Sequence, residues 1–168
     1  MLSVKDSLSV LEKEGFLIAS TLLIKNKKDL RKVKEFPVVM KIISSEHKTD
    51  VGGVITSILN KKELQEAYEK LSKISREVLV QERIQGIEVI IGVKKDPVFG
   101  HALLFGSGGI NTEVYKDFSM RICPVNKKQA MRMIKETRVY ELLKGFRGSE
   151  PVNMNALINL IIKVSEFT

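Results

Sequence analysis

Phe36-Pro37-Val38-Val39-Met40-Lys41-Ile42-Ile43 is an apolar run broken only by one ammonium group near its end. Its length and its branched residues read as a buried strand. Both faces of that strand then look apolar, and a lysine is almost never buried without a partner. Lys41 therefore has two readings. The strand lies at a sheet edge and the side chain runs out to water along its own methylenes, or the ammonium points into a cleft at an anion. Ser44 to Val51 follows as a polar loop, and Gly52-Gly53 turns the chain into a second strand, Val54 to Leu59. That connection contains His47-Lys48-Thr49-Asp50-Val51-Gly52-Gly53. Glycines let backbone N–H groups approach an anion closely, and an imidazole beside them is a nucleophile for a phosphoryl group. A surface histidine in a hairpin is the plainer alternative.

Working toward the N-terminus, Asn26 is placed to cap a helix running to about Lys34, Phe16 to Ile24 is β-compatible, and Ser7 to Glu14 reads as a helix stopped by Gly15. Toward the C-terminus, Asn60-Lys61-Lys62-Glu63 opens a helix with Leu64, Ala67, Tyr68, Leu71 and Ile74 on one face. Val78 to Glu82 is a strand, and Ile87, Val89, Ile91 and Val93 alternate in the next. A turn at Lys95-Asp96-Pro97 leads to a strand from His101 to Phe105, and Gly106-Ser107-Gly108-Gly109 reads as a tight glycine loop. Ser119 to Val125 is a further strand. Asn126 caps a helix with Ala130, Met133 and Ile134 inside, Gly145 to Gly148 turns, and Met154 to Val164 is a last amphipathic helix. Strands and helices intermix, and several strands are hairpin-connected. This argues for α+β and against a doubly wound parallel sheet. The segment from Glu82 to Gly86 is the candidate hinge between two lobes.

Two more groups are candidates for chemistry. The stretch Phe105-Gly106-Ser107-Gly108-Gly109-Ile110 is a strand followed by glycines. It lacks the Gly-Lys-[Ser/Thr] of a phosphate loop and the helix start of a dinucleotide fingerprint, so a plain turn and an anion nest both stand. Glu113, Asp117 and Arg121 form either a surface ion pair or a phosphate clamp, with Asp117 orienting a base or a metal-bound water. His101 opens an apolar strand and is given no role.

The 168 residues, 43% of them hydrophobic and 29% charged, suffice for a real core and argue against global disorder. The single cysteine, Cys123, excludes an internal disulfide and reads as strand filler. No apolar run approaches the ~18 residues a membrane span needs, and Met1 to Asp6 lacks a signal-peptide core. The expectation is a soluble, cytoplasmic protein. The net charge of +8 is densest from Lys25 to Glu35. It reads as a solvated lysine surface, as attraction for a polyanionic small ligand, or as nucleic-acid binding. No aromatics interleave that stretch, which disfavours stacking on single strands.

The order of these pieces is similar to the β subunit, or β-type domain, of ADP-forming acyl-CoA synthetases such as ADP-forming acetate–CoA ligase, relatives of succinyl-CoA synthetase. The matching pieces are Phe36 to Lys41, His47 to Val54, Val78 to Glu82, Gly86 to Val93, Asp96-Pro97 and Phe99-Gly100. Phe105 to Ile110, Glu113 to Asp117, Arg121, Pro124 and Leu142 to Gly148 complete them. The resemblance spans nearly the whole chain. It implies an ATP-grasp fold, two α+β lobes around a nucleotide cleft, with residues 1–82 as a smaller lobe and 83–168 as a larger one. It also implies a chain truncated at its C-terminus, whose second lobe lacks the family's last strands.

By that resemblance the cofactors are ATP or ADP with Mg²⁺. Lys41, Gly52 and Gly53 would lie at the phosphates, Gln81 and Glu82 near adenine, and Glu88 near the ribose or the lobe boundary. Gly106, Gly108, Gly109 and Arg121 would face the transferring phosphoryl group. His47 would carry it between the phosphohistidine form and ADP, and a CoA-binding α-type subunit would be the partner. The family's magnesium ligands have no counterpart here beyond Asp117 as a candidate. The alternative is a truncated ATP-grasp module that binds a nucleotide or a partner without turnover.

Overall fold

The computed structural model describes residues 3–43, 52–109 and 116–167, apart from the Lys5 side chain. His47, Ile110 and Glu113 lie outside the described residues. The chain forms two compact units, Met1–Gln85 and Gly86–Thr168.

The first unit begins with helix α1, Val4–Lys13, whose Ser3 cap accepts a hydrogen bond from Asp6 N–H. Strands β1 (Thr21–Ile24), β2 (Val38–Ile42), β3 (Val54–Ile58) and β4 (Val78–Glu82) form one sheet in the order β1-β4-β2-β3, with antiparallel neighbours. The β-compatible stretch from Phe16 contributes only its last four residues, because β1 pairs with β4 only from Thr21↔Gln81 to Ile24↔Val78. Asn26 does cap, but it starts a 3₁₀ helix, Lys27–Lys32, not an α-helix to Lys34. That segment holds one apolar residue, Leu30, and Val33 leaves it in extended conformation to enter the core. Helix α2, Lys61–Leu71, starts at Asn60, whose side-chain oxygen accepts from Lys62 and Glu63 N–H. Leu64, Ala67 and Leu71 are buried, whereas Ile74 lies beyond the helix and is 48% exposed. These apolar side chains close on Val38, Met40, Ile42, Val78 and Val80 in one core.

In the second unit β5 (Val89–Asp96), β6 (Gly100–Ser107) and β7 (Phe118–Ile122) form a three-stranded antiparallel sheet in chain order. Helices α3 (Lys127–Lys135), α4 (Val139–Leu143) and α5 (Met154–Glu166) follow. Asn126 and Gln129 make a reciprocal capping box on α3. The turn between β5 and β6 is held by the Asp96 carboxylate, which accepts from Val98 and Phe99 N–H, with Gly100 at φ +80°. Leu103 and Phe105 of β6 are fully buried against Ala130, Met133, Ile134 and Ile161. The other face of this sheet is apolar and open, with Ile90, Phe118, Met120 and Ile122 between 37% and 47% exposed.

Two further expectations are corrected here. Gly106 and Ser107 belong to β6 and not to a loop. The strand expected at Ser119 to Val125 runs from Phe118 to Ile122, since Pro124 has no N–H to continue a ladder. Helix α4 was not anticipated at all.

Candidate functional site

Successive side chains on a strand point to opposite faces of a sheet. In β2, Val38, Met40 and Ile42 enter the core, while Val39 and Lys41 are half-buried on the other face. Lys41 is not on an edge, because β2 lies between β4 and β3. The expectation that both faces of this strand are buried is thus replaced by a one-sided strand in the middle of a sheet. The ammonium Nζ donates to Gln81 Oε1 at 2.8 Å, and Gln81 Nε2 donates to Thr21 Oγ1 at 2.9 Å. Thr21 Oγ1 in turn donates to Ala19 O at 2.7 Å. One polar chain thereby crosses β2, β4 and β1 and fixes the direction of Lys41. Thr21 escaped the sequence reading; its only signal is a hydroxyl at the head of the apolar run Thr21-Leu22-Leu23-Ile24.

The connection carrying His47 leaves and rejoins the sheet beside this lysine. Lys41 pairs with Val54, and Ile42 N–H donates to Gly53 O at 2.9 Å. Gly52 holds φ +64°, a conformation that glycine adopts without strain.

Gln81 and Glu82, expected together near one ligand, are placed on opposite faces. Gln81 stands with Lys41. The Glu82 carboxylate accepts from Ser20 N–H at 3.3 Å and borders a cavity of about 380 Å³ with Phe36, Val38, Val80 and Arg83 on the core side of the sheet.

In the second unit the glycines are packing devices. A Cβ at Gly106 would strike Asp117 O and Phe118 Cα, so the close approach of β7 requires glycine there. A Cβ at Gly108 would lie 2.8 Å from Glu88 C. The neighbouring amides are already used: Ser107 N–H donates to Asp117 O at 3.0 Å, and Gly108 N–H donates to Glu88 O at 2.8 Å. Gly109, at φ +64°, faces the Glu88 carboxylate. The Ser107 and Gly108 amides are therefore engaged within the fold.

Asp117 and Arg121 are not brought together. Arg121 donates to Glu136 Oε1 and to Met120 O, and its ion pair is with helix α3's C-cap. Asp117 accepts from Ser107 Oγ at 2.8 Å, Arg138 N–H at 2.7 Å and Val139 N–H at 3.1 Å. It caps α4 from a distance in sequence. Burial pushes its carboxyl up, yet the hydrogen bonds from Arg138, Ser107 and Val139 hold it below its ordinary value. Both Asp117 oxygens are engaged in capping α4, so a magnesium ion there would share a carboxylate that already serves the fold. Among the described residues no cluster of three or more His, Cys, Asp or Glu could hold a metal ion.

Asp117→Ala is expected to lower the stability of the second unit by about 1–2 kcal/mol at neutral pH, read from urea unfolding. The folded carboxyl titrates below its unfolded value, so its stabilisation is complete above about 3.8 and disappears as pH falls through the folded value. Wild type and variant should converge in strong acid. A gap that persists there would show that the loss is not the carboxylate's.

No helix among the described residues is long and apolar enough to cross a membrane. A family model described as an ATP-grasp domain matches residues 1–168. The chain is 41% identical over 143 residues to subunit beta of ADP-forming acetate–CoA ligase I from Pyrococcus furiosus, covering 78% of this chain and 62% of that relative. It is 36% identical over 178 residues to ADP-forming acetate–CoA ligase I from Archaeoglobus fulgidus, covering 97% of this chain and 26% of the relative. The chain thus spans under two thirds of the length of both. Among solved structures it is similar to a dinucleotide-forming acetyl-coenzyme A synthetase 1 from Ca. Korarchaeum cryptofilum. That protein was solved with coenzyme A and Mg-AMPPCP, its phosphohistidine segment pointing towards the nucleotide binding site. The TM-score is 0.82 at 36% identity, over 99% of this chain and 78% of that one.

Proposed function

We propose, from the premise that this chain belongs to the ATP-grasp domain family, that it is the nucleotide-binding part of an ADP-forming acyl-CoA ligase. In this reading Lys41 binds the phosphates of ATP or ADP. His47 passes a phosphoryl group between ADP and a CoA-binding α-type partner. One observation carries it: a half-buried lysine on a central strand, oriented by Gln81 and Thr21, where the β2–β3 connection, whose sequence includes His47, rejoins the sheet. Phosphoryl transfer is largely positioning and charge neutralisation, and an ammonium whose direction is already set supplies both with little reorganisation.

The relatives support the ligand class. The P. furiosus and A. fulgidus proteins are ADP-forming acetate–CoA ligases, and the K. cryptofilum structure holds an ATP analogue with magnesium and coenzyme A. Gly52 and Gly53 are proposed to lie at the phosphates with Lys41. Gln81 acts through Lys41 and not by direct contact. Arg121 reaches a phosphoryl group only by leaving Glu136.

A second reading, a binding module without turnover, is favoured by the engaged states of Asp117 and Arg121. The described residues offer no cluster of three or more carboxylate, histidine or cysteine ligands for magnesium. Calorimetric titration of Mg-ADP and Mg-ATP into the purified chain tests the binding that both readings share. Saturable binding in the micromolar range is expected. No heat up to millimolar nucleotide would sink the ligase reading and leave only a partner-binding module.

A further inference from the structure

The basic stretch noted in the sequence is not spread evenly over the surface. Lys25, Lys27 and Lys32 are neutralised by Glu77, Glu69 and Asp29 at 2.7–2.9 Å. Lys28, Arg31, Lys34 and Lys61 have no ion pair among the described residues, and these four line one groove of about 750 Å³. The groove lies between the 3₁₀ helix and the start of α2, over Leu30 and Leu64. Both helices pack on the core side of the first sheet, so the groove and Lys41 are on opposite sides of it.

The arrangement runs against local stability. Four like charges around one concavity repel each other. Lys61 also occupies the first turn of α2, where the helix dipole disfavours a cation. A bound polyanion relieves both penalties. The groove is lined by residues of only two neighbouring helical segments and Lys34, and none of them is aromatic. This fits a compact anion better than a nucleic-acid strand, which needs an extended basic path and stacking surfaces. Lysine and arginine together suit phosphate oxygens, as point charge and as planar fork. A groove of this volume has room for a small-molecule ligand.

We propose that this groove is a second anion site, separate from Lys41, that takes the phosphate chain of a small polyphosphate. The chain can come from inorganic polyphosphate or from a nucleoside polyphosphate, since the recognised chemistry is shared.

Inorganic tripolyphosphate is titrated into the purified chain at low ionic strength, with binding followed at the amide signals of Leu30 and Leu64. The same titration is run on Lys41→Ala and on a Lys28→Gln/Arg31→Gln/Lys61→Gln variant. Wild type and Lys41→Ala should show the same saturable shifts, and the triple variant should bind about tenfold more weakly or worse. All three substituted residues are exposed, so the triple variant should fold, with an unchanged or raised melting temperature as repulsion falls. ATP in place of tripolyphosphate identifies the source. Equal affinity at Leu30 and Leu64 means that nucleoside polyphosphates enter, and much weaker binding means that the inorganic chain is preferred. Equal binding by the triple variant, or absence of shifts at those amides, overturns the proposal. So does an oligonucleotide that displaces tripolyphosphate with an affinity rising with length, which would make the face a nucleic-acid surface.

Discussion

Replacing His47 by asparagine should remove the acid-labile label that the proposed function expects from ATP labelled in its terminal phosphate, a drop of at least about a hundredfold. Affinity for ATP stays the same. The argument is chemical. Near neutral pH a histidine ring keeps an unprotonated nitrogen. In the proposed reaction that nitrogen would attack the terminal phosphorus of ATP, an N–P bond forming as the bridging P–O bond breaks and ADP leaves with the electron pair. The N–P bond is itself open to re-attack, which is what a carrier of phosphate needs. An asparagine amide has nearly the same reach but no such lone pair, because its nitrogen is conjugated with the carbonyl. The acid lability of the label distinguishes it from a serine or threonine phosphate. Absence of label on wild type, alone and with an α-type partner added, would leave the binding module as the surviving reading. A label that persists in His47→Asn would move the carrier to another residue.

Lys41→Ala should weaken binding of ATP by about 30- to 100-fold, the loss of one charge-assisted contact worth roughly 2–3 kcal/mol. The effect should grow with the number of phosphates, so that adenosine binds wild type and variant alike. Gln81→Ala tests the orienting chain separately. It leaves the ammonium in place but removes its acceptor, and only a few-fold loss is expected. Lys41→Arg should not rescue fully, since the longer planar group cannot keep the Gln81 geometry. If Lys41→Ala binds ATP as well as wild type, the phosphates lie elsewhere.

What could be read from the sequence was local. Asn60 and Asn126 mark the starts of α2 and α3 within three residues of the amides they cap. The Phe36 to Ile43 run contains β2 by composition alone. What could not be read depends on pairs distant along the chain. Gly106 looks like loop chemistry because the reason for its missing side chain is the backbone of Asp117 and Phe118. Helix α4 has its cap 21 and 22 residues upstream, in Asp117, so no motif announces it. Arg121 finds Glu136, 15 residues on, and not Asp117. Whether Lys41 stood at an edge or in the middle was set by β4 returning between β1 and β2, a choice made some 40 residues later. Gln81 and Glu82 are adjacent in β4, and the alternation of a strand alone separates their side chains.

The two hydrophobic clusters share no residue, and each closes within its own half of the chain. Cooperativity is a property of a core, so two unfolding transitions are the expected result of calorimetry on this chain. A single melting midpoint would average two transitions and break the assumption behind any one free energy of unfolding. Variants at Lys41 or Gln81 report on one transition, and variants at Asp117 or Gly106 on the other. Ligand added at the Lys41 face should shift the first without moving the second by mass action, unless binding draws both halves into one folding unit.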